Sequence, residues 1–523
     1  MIQPDPTTRR TASSAANWTI AIPICCLASL LVSFVIAWCA TWHWPLVGDA
    51  GLIHYVVLLI RSGRAPYSQI VDINLPGSYI LESLSMRLFG AHALGLRLYD
   101  SFLCVVIFAC TAFLGTPIRS GRLAGLAAGV AFWLFHLEDG VRQAGQRDLA
   151  MCAIALVAYV VLLQASRVPS LLRLFLYELL VGATLTVKPT LLLLALLPVF
   201  AWWKSDDAGE STSRVKTVFV SSVGLVIPVA GVLLWLWHRG SAGAFFTMLR
   251  TVEVQHDETG RRALGFLLAH STSPLIVPIV AWILLSALRG FRLGRREWLL
   301  LFGAFCGLLS YIAQGKAYPY QRYAFLAFML CLISVEFSRV LTESFDLKTP
   351  RGALATVLAL TGVATVCLWF GPRFAIEVRG FDHYDAFQDA LTTDLRAQNA
   401  SSGGVQCFDT WGGCLDALYT LNIVQPTGYI YDCYFYTAPG WRRDLYRREF
   451  LRAFDAASPR VLVVTDQFCF SGEHSFARID TWSDLAERMQ ENYTLATQWQ
   501  TARPGHWWRR PEQPQAYRIY IRK

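Results

Sequence analysis

Long apolar segments separated by short polar loops occupy most of the chain up to residue 371. The first segment, 18–42, can cross a hydrocarbon core of about 30 Å, and no small-residue cleavage site follows it, so we interpret it as a retained helix. Ten further candidates lie at 94–114, 123–137, 149–163, 171–187, 189–203, 218–237, 274–288, 298–313, 323–337 and 353–370. The pattern predicts a mainly α polytopic membrane protein with about eleven transmembrane helices.

The pattern changes in the last part of the chain, 372–523. Amphipathic stretches of helical period alternate there with short β-rich runs, VQCFDT, RVLVVTD and YRIYIRK. We expect a small α/β domain. An odd number of crossings puts this domain on the outer side, with 18–371 as the transmembrane domain and 1–17 as a cytoplasmic tail.

Composition and charge support this interpretation. With 54% hydrophobic and 16% charged residues, most of the chain cannot be a water-soluble globule. If Arg9 and Arg10 hold the N-terminus in the cytoplasm, every predicted cytoplasmic loop carries Lys or Arg, as the positive-inside rule requires. The net charge of +9 is therefore largely a topology signal, and we expect no nucleic-acid partner.

Acidic residues gather in the first outer loop, 43–93, where Asp49 is the first acid after the first span. Asp49 opens the stretch GDAGLIHYVVLLIRSGRAPY, which is too apolar for a soluble surface helix and too short to cross a membrane. We expect this helix to lie in the membrane interface, followed by a second such element, YILESLSMRLFG. A carboxylate just outside the bilayer is a candidate for chemistry on a membrane-borne substrate.

Cations and phenols recur in the later outer loops, which include the sequence QGKAYPYQRY. The residues of interest are Arg147, Asp148, Lys188, Lys316, Tyr318, Tyr320 and Arg322. Arg and Lys suit a phosphate held at the membrane surface, because Arg grips two oxygens and Lys supplies a point charge. The structural alternatives are an Arg147–Asp148 salt bridge, a snorkelling Lys188 and an aromatic belt with stray cations.

The order of motifs in the first loop resembles that of the GT-C glycosyltransferases. Within them the chain is most similar to the protein-mannosyltransferase-like branch, which includes bacterial aminoarabinose and lipopolysaccharide-core sugar transferases. The resemblance covers the membrane part, most strongly residues 40–200. It rests on the acid after the first helix, a G-x-x-P-Y turn, an acid before a proline, LFG and a following arginine: Asp49, Gly63, Pro66, Tyr67, Asp72, Pro76, Leu88, Phe89, Gly90 and Arg97.

The resemblance implies an enzyme of a bacterial inner membrane that modifies glycans or lipopolysaccharide of the cell envelope. Such an enzyme moves a sugar, with inversion, from a polyprenyl-phosphate donor to a lipid, polysaccharide or protein acceptor on the outer face. Asp49 matches the expected base, and Asp72 is its nearest rival. Relatives carry a lysine after the acid near Asp72, whereas this chain has Ile73 and Asn74.

The other site residues follow from the same resemblance. The candidate donor-phosphate ligands are Arg147, Lys188, Lys316 and Arg322. The candidate substrate-binding residues are Tyr67, Glu82, Asp148, Tyr318 and Tyr320.

Cofactor and cysteine patterns add little chemistry. The first loop has no D-x-D or E-x-D, and no nucleotide-binding glycine motif is present, so we expect no cofactor; a divalent metal is not indicated. Four of the thirteen cysteines, Cys407, Cys414, Cys433 and Cys469, lie in the outer domain. They can form two disulfides in an oxidising compartment or remain buried thiols, and their spacing does not favour zinc.

Two other functions are compatible with the sequence. A transporter or flippase for lipid-linked glycans would carry polar residues within its spans and repeated halves with broken helices, and no clear internal repeat is present. A catalytically degenerate relative would use the membrane part only to anchor a binding domain.

Overall fold

The computed structural model describes residues 6–116, 121–164, 170–198, 214–253, 260–343, 348–377, 384–400, 404–409, 413–438, 440–467, 474–501 and 516–523. The membrane part is helical. Its helices are α1 Pro6–Thr41, α2 Gly48–Arg61, α3 Pro76–Phe89, α4 Ala93–Leu114, α5 Gly121–Glu138, α6 Arg147–Leu163, α7 Leu171–Val187, α8 Arg214–His238, α9 Ala242–Met248, α10 Leu264–Thr272, α11 Ile276–Leu288, α12 Arg295–Gln314, α13 Tyr323–Glu343, α14 Pro350–Ala364 and α15 Gly371–Glu377.

Fewer spans are found than the predicted eleven. Among the described residues, six helices are long and apolar enough to cross a membrane, or seven if α10 and α11, bent by 84°, form one span. The predicted spans at 149–163 and 171–187 correspond to α6 and α7, each of 17 residues, or roughly 26 Å at 1.5 Å per residue, slightly less than a hydrocarbon core. The predicted span at 189–203 begins as a short 3₁₀ helix, Pro189–Leu196, and its end lies outside the described residues.

The burial of each helix follows its sequence pattern. The segment Pro319–Thr342, which contains most of α13, is largely apolar and its most apolar part is 89% buried, whereas Val215–His238 in α8 is more apolar and only 6% buried. A helix without a polar face must lie either inside a bundle or against lipid. α13 is therefore the centre of the bundle, and α8 presents its side chains to the surroundings.

The C-terminal part is a small α/β domain. Its helices are α16 Tyr384–Ala397, α17 Gly413–Thr420, α18 Tyr434–Thr437, α19 Gly440–Ala457 and α20 Ser483–Asn492; its strands are β1 Val405–Phe408, β2 Val461–Thr465, β3 Tyr493–Gln500 and β4 Ala516–Arg522. The strand order is β1-β2-β4-β3, with β1 parallel to β2 and the other pairs antiparallel. The three predicted β-rich runs are β1, β2 and β4.

Helix α2 lies between the membrane bundle and this domain. Eleven of its fourteen residues are buried, and its apolar side chains share one hydrophobic core with β1, β2 and α17. The prediction of a helix here is confirmed, but protein covers its apolar surface where we expected the membrane interface. The outer domain is therefore packed directly on the first loop.

Candidate active site

Asp49 lies in the first turn of α2, beside the start of α6. Its side chain is 35% exposed, and its Oδ2 is 3.8 Å from Nη2 of Arg147, whose side chain is 12% exposed. This distance exceeds a hydrogen bond, so the two groups form a loose ion pair. An accessible carboxylate thus lies next to a nearly buried guanidinium.

The loop before α6 fixes the position of Arg147. The backbone N–H of Gly145 donates to Oδ1 of Asp100 at 2.9 Å, and Asp100 is paired with Arg97 at 2.6 Å. Gly145 has φ +66°, and a Cβ there would lie 2.2 Å from Leu96 Cδ1, so the tight path of this loop requires glycine. Nη1 of Arg147 has no hydrogen-bond partner among the described residues, which leaves a buried donor for a ligand.

Lys188 follows α7 and already has protein partners. Its Nζ donates to Asp148 at 2.7 and 3.0 Å and to Gln314 at 2.9 Å, and it lies 5.1 Å from the ring centroid of Tyr320. Asp148, a predicted substrate ligand, thus neutralises a predicted phosphate ligand. Tyr320 interacts with both Asp49 and Arg147, so the Lys188 group adjoins the Asp49–Arg147 pair.

The remaining candidates of the QGKAYPYQRY loop lie near this group. Arg322 donates to Asp139 at 2.9 Å and to the carbonyl of His270 at 3.3 Å. Lys316 is buried, and the rings of Tyr318 and Tyr320 stack with centroids 5.6 Å apart. Arg322 is therefore balanced by an acid that the sequence analysis did not select.

Asp72 is in a different environment from Asp49. It is buried, and its carboxylate accepts hydrogen bonds from the backbone N–H of Ile73 at 2.7 Å, the amide of Asn74 at 3.0 Å and the hydroxyl of Tyr79 at 2.8 Å. Burial raises the pKa of Asp72, while these hydrogen bonds oppose the shift. The contacts organise the turn that leads into α3.

Two further predicted substrate ligands lie apart from the Asp49–Arg147 pair. Glu82 is buried and pairs with Nδ1 of His54 at 2.6 Å, in the middle of α2. Tyr67, with φ +63°, donates to the carbonyl of Asn74 and contacts the rings of Tyr79 and Phe245. Their contacts stabilise the first loop.

The outer domain contributes two residues that the sequence analysis did not identify. Tyr431 interacts with Asp49, Asp72 and Arg147, and burial followed by the nearby carboxylates raises the pKa of its phenol well above the usual range. Asp416 of α17 accepts from the backbone N–H of Gly48, the first residue of α2. The tyrosine-rich run TGYIYDCYFYT was the available signal for Tyr431; nothing in the sequence marked Asp416.

The cysteines of the outer domain are structural. Cys407 of β1 and Cys414 of α17 form a disulfide with a Cα–Cα distance of 6.0 Å, and Cys433 is also disulfide-bonded. Cys469 lies outside the described residues. Among the residues that are described, no three His, Cys, Asp or Glu side chains are grouped as metal ligands.

No protein-family profile and no curated protein matches the chain. Among solved structures it is similar to ArnT from Cupriavidus metallidurans bound to undecaprenyl phosphate, with 12% identity and a TM-score of 0.54 over 95% of this chain and 97% of that one. It is also similar to the arabinofuranosyltransferase AftD from Mycobacteria, with 15% identity and a TM-score of 0.50 over 95% of this chain and 39% of that one. The chain has the GT-C fold. The predicted GT-C-like fold is thereby confirmed, whereas the predicted eleven spans are not; at this identity the likeness describes the fold alone.

Proposed function

We propose that the protein is an integral membrane glycosyltransferase. It transfers a sugar from a polyprenyl-phosphate donor to an acceptor hydroxyl on the outer face of a bacterial inner membrane, with inversion at the anomeric carbon. Asp49 is the general base, and Arg147 is the main phosphate ligand. The GT-C fold, shared with ArnT and AftD, supports the class of reaction.

The observation that carries this proposal is the loose ion pair of Asp49 and Arg147. A base must reach the acceptor hydroxyl, and Asp49 is the accessible one of the two acids proposed for that role. A phosphate ligand must keep a free donor, and Nη1 of Arg147 donates no hydrogen bond to any described residue. The missing lysine after Asp72 is thus compensated by a cation from another loop.

The transfer balances with these groups. Asp49 takes the proton of the acceptor hydroxyl as its oxygen attacks the anomeric carbon on the face opposite the phosphate. The bond between that carbon and the phosphate oxygen breaks, and its electron pair stays on the phosphate. Arg147 stabilises the charge that develops there, with Lys188 adjacent. The products are the glycosylated acceptor, polyprenyl phosphate and a protonated Asp49, which returns its proton to water.

The decisive experiment is Asp49→Asn in purified protein reconstituted in vesicles with membrane lipid extract as the source of donor and acceptor. The variant keeps the shape of the side chain and removes the base, so transfer should fall by about 10²–10⁴-fold with unchanged insertion and thermal stability. Asp389→Asn, at an exposed position of α16, is the matched control and should keep full activity. Near-normal transfer by Asp49→Asn would refute the assignment.

The same vesicles distinguish transfer from transport. A glycosyltransferase converts the labelled lipid-linked sugar into a new product and releases polyprenyl phosphate. Movement of the label across the bilayer without its consumption would instead establish the flippase alternative. If the labelled lipid binds but is neither moved nor consumed, the chain is a degenerate relative.

A further inference from the structure

One segment of the outer domain, Gln425–Tyr434, runs along the first loop next to Asp72. Arg64 donates to the carbonyls of Thr427 at 2.9 Å and Gln425 at 2.6 Å, and the N–H of Val71 donates to the carbonyl of Gly428 at 2.8 Å. These bonds hold the backbone of the two segments together. The outer domain is therefore docked within one residue of Asp72.

The close approach is specified by glycine. A Cβ at Gly428 would lie 2.1 Å from the carbonyl oxygen of Gln69, so a larger residue would separate the two chains. Next to it, Val71 and Tyr429 form a parallel β-bridge. A bridge fixes the register of the residues that follow it on both segments.

Tyr431 comes two residues after this bridge and is half-buried. Its ring packs edge-on against the ring of Tyr434, with the two centroids 5.8 Å apart, and this packing restricts rotation of the side chain. It interacts with Asp49, Asp72 and Arg147, that is, with the base, its rival and the phosphate ligand. The outer domain thus completes one side of the site with an aromatic ring and a hydroxyl.

Tyr320 lies within electrostatic range of the same pair, on the side of the membrane bundle. It is in the 3₁₀ turn before α13, its ring lies under the Nζ of Lys188, and the charges of Asp49 and Arg147 act on its phenol. The two tyrosines reach the pair from different parts of the molecule. A polyprenyl donor must approach from the bilayer because its chain is insoluble in water, so the side built by the bundle belongs to the donor.

We propose that Tyr431 lines the acceptor subsite and that the acceptor is a carbohydrate. This inference rests on the proposed function. The side of the site that the outer domain builds is left for the acceptor. A sugar ring offers an apolar C–H face and hydroxyl edges, and a tyrosine matches both with its ring and its phenol. Tyr431 therefore determines specificity, and Asp49 performs the proton transfer.

The test measures binding of two probes to the full-length protein in nanodiscs, without turnover. The acceptor probes are methyl pyranosides of glucose, galactose and mannose and methyl arabinofuranoside, followed by saturation-transfer NMR. The donor probe is undecaprenyl phosphate, followed by native mass spectrometry. Tyr431→Ala should weaken binding of the best glycoside about fivefold, since loss of an aromatic contact of this kind costs roughly 1 kcal/mol, and should leave undecaprenyl phosphate binding unchanged.

Two matched variants make the result specific. Tyr429→Ala removes a tyrosine from the same segment whose hydroxyl bonds Glu449 at 3.3 Å, and glycoside binding should persist. Arg147→Gln should weaken undecaprenyl phosphate binding and spare the glycosides. Tyr431→Phe removes the hydroxyl and keeps the ring, so its loss of glycoside binding should be smaller than that of Tyr431→Ala.

Several outcomes would overturn the inference. The first is that no saturation passes from the wild-type protein to any of the glycosides. The second is that Tyr431→Ala binds the glycosides as well as the wild type does. The third is that Tyr431→Ala loses undecaprenyl phosphate binding. Failure of the proposed function has a different signature: the wild type would leave the labelled lipid-linked sugar unconverted in the vesicle assay, whatever Tyr431→Ala does to glycoside binding.

Discussion

At the scale of single residues, two aspartates of one loop have opposite environments. Asp49 is partly exposed, and its nearest cation lies beyond hydrogen-bond distance, whereas Asp72 is buried and accepts from three neighbouring residues. A carboxylate with its lone pairs occupied is a poor base for an incoming hydroxyl. These contacts are the reason why we propose Asp49, and not Asp72, as the base.

This assignment predicts different losses for the two residues. Asp72→Ala leaves the side-chain amide of Asn74 without its acceptor and the Tyr79 hydroxyl with only the Asn74 carbonyl, which should cost about 1–3 kcal/mol of stability. A thermal melt in detergent should show a lower midpoint, with any fall in activity explained by the folded fraction. An unchanged midpoint with abolished transfer would instead make Asp72 the base.

Arg147 is predicted to act through its shape as well as its charge. Arg147→Lys keeps the charge but loses the planar donor pair, and Arg147→Gln loses both. Removal of one stabilising donor costs about 10²–10³-fold in turnover, so Arg147→Gln should reach that loss and Arg147→Lys should be intermediate. Steady-state rates with excess donor measure this, and equal rates for both variants and the wild type would contradict the role.

At the scale of elements, the N-terminus of α2 is stabilised by a residue of another helix. The residue before the helix, Val47, makes no side-chain capping bond, and Asp416 of α17 supplies the acceptor for Gly48 instead. A carboxylate at a helix N-terminus also interacts favourably with the helix dipole. A Cβ on Gly51 would lie 2.0 Å from Asp416 Oδ1, so glycine at this position allows the two helices to meet.

The contact between α2 and α17 should depend on pH. Burial raises the pKa of Asp416 well above the usual range; Asp409 adds to the shift, while Arg142 and the Gly48 N–H oppose it. The folded state therefore retains the proton at pH values where the unfolded carboxyl, with a pKa of about 4, has lost it. Stability contributed by Asp416 is full below pH 4 and falls as pH rises through the folded pKa.

The variant Asp416→Asn isolates this effect because the amide does not titrate. We expect the melting temperature of the wild type to fall relative to that of the variant as pH is raised from 4 to 8. Differential scanning fluorimetry at matched ionic strength measures the difference. Parallel curves for the two proteins would show that Asp416 does not titrate in this range.

At the scale of the whole molecule, the chain has two hydrophobic cores that do not follow the predicted domain boundary. One unites the membrane helices around α13, and the other unites α2 with the outer domain. The first loop therefore belongs structurally to both parts. Helix α2, which carries Asp49, therefore connects the two cores.

Removal of the outer domain should consequently destroy the site. A chain ending at residue 377 would expose the apolar residues of α2 that the second core covers, including Val56 and Leu59, which are fully buried. We expect aggregation in detergent, detected by size-exclusion chromatography, and no undecaprenyl phosphate binding. A monodisperse truncated protein that still binds this lipid would show that the outer domain is dispensable for the donor side.

The last prediction concerns metal dependence. We expect transfer without a divalent ion, since the proposed phosphate ligands are the side chains of Arg147 and Lys188. Dialysis against EDTA should leave the rate of transfer unchanged. A loss of activity that Mg²⁺ or Mn²⁺ restores would contradict this expectation.

Much of the fold could be predicted because hydropathy reports burial directly. The long apolar runs predicted most of the membrane helices, and the short β-rich runs predicted β1, β2 and β4. Strand β3 was missed because its exposed, polar positions in YTLATQWQ do not alternate with buried ones. The predicted eleven spans are not confirmed among the described residues, since apolar segments such as 171–187 have the composition of a span but only 17 residues.

The sequence by itself determined that this is a largely helical chain with apolar segments long enough to cross a membrane, and that its end is an α/β domain; it also predicted that acids and cations are concentrated in the loops of one face. These properties follow from local composition and period. Only the tertiary structure decided that Asp49 pairs with Arg147, that Lys188 and Arg322 are balanced by Asp148 and Asp139, and that Tyr431 joins the site. Such pairings join residues far apart in the chain, and their geometry depends on how the helices and the outer domain pack.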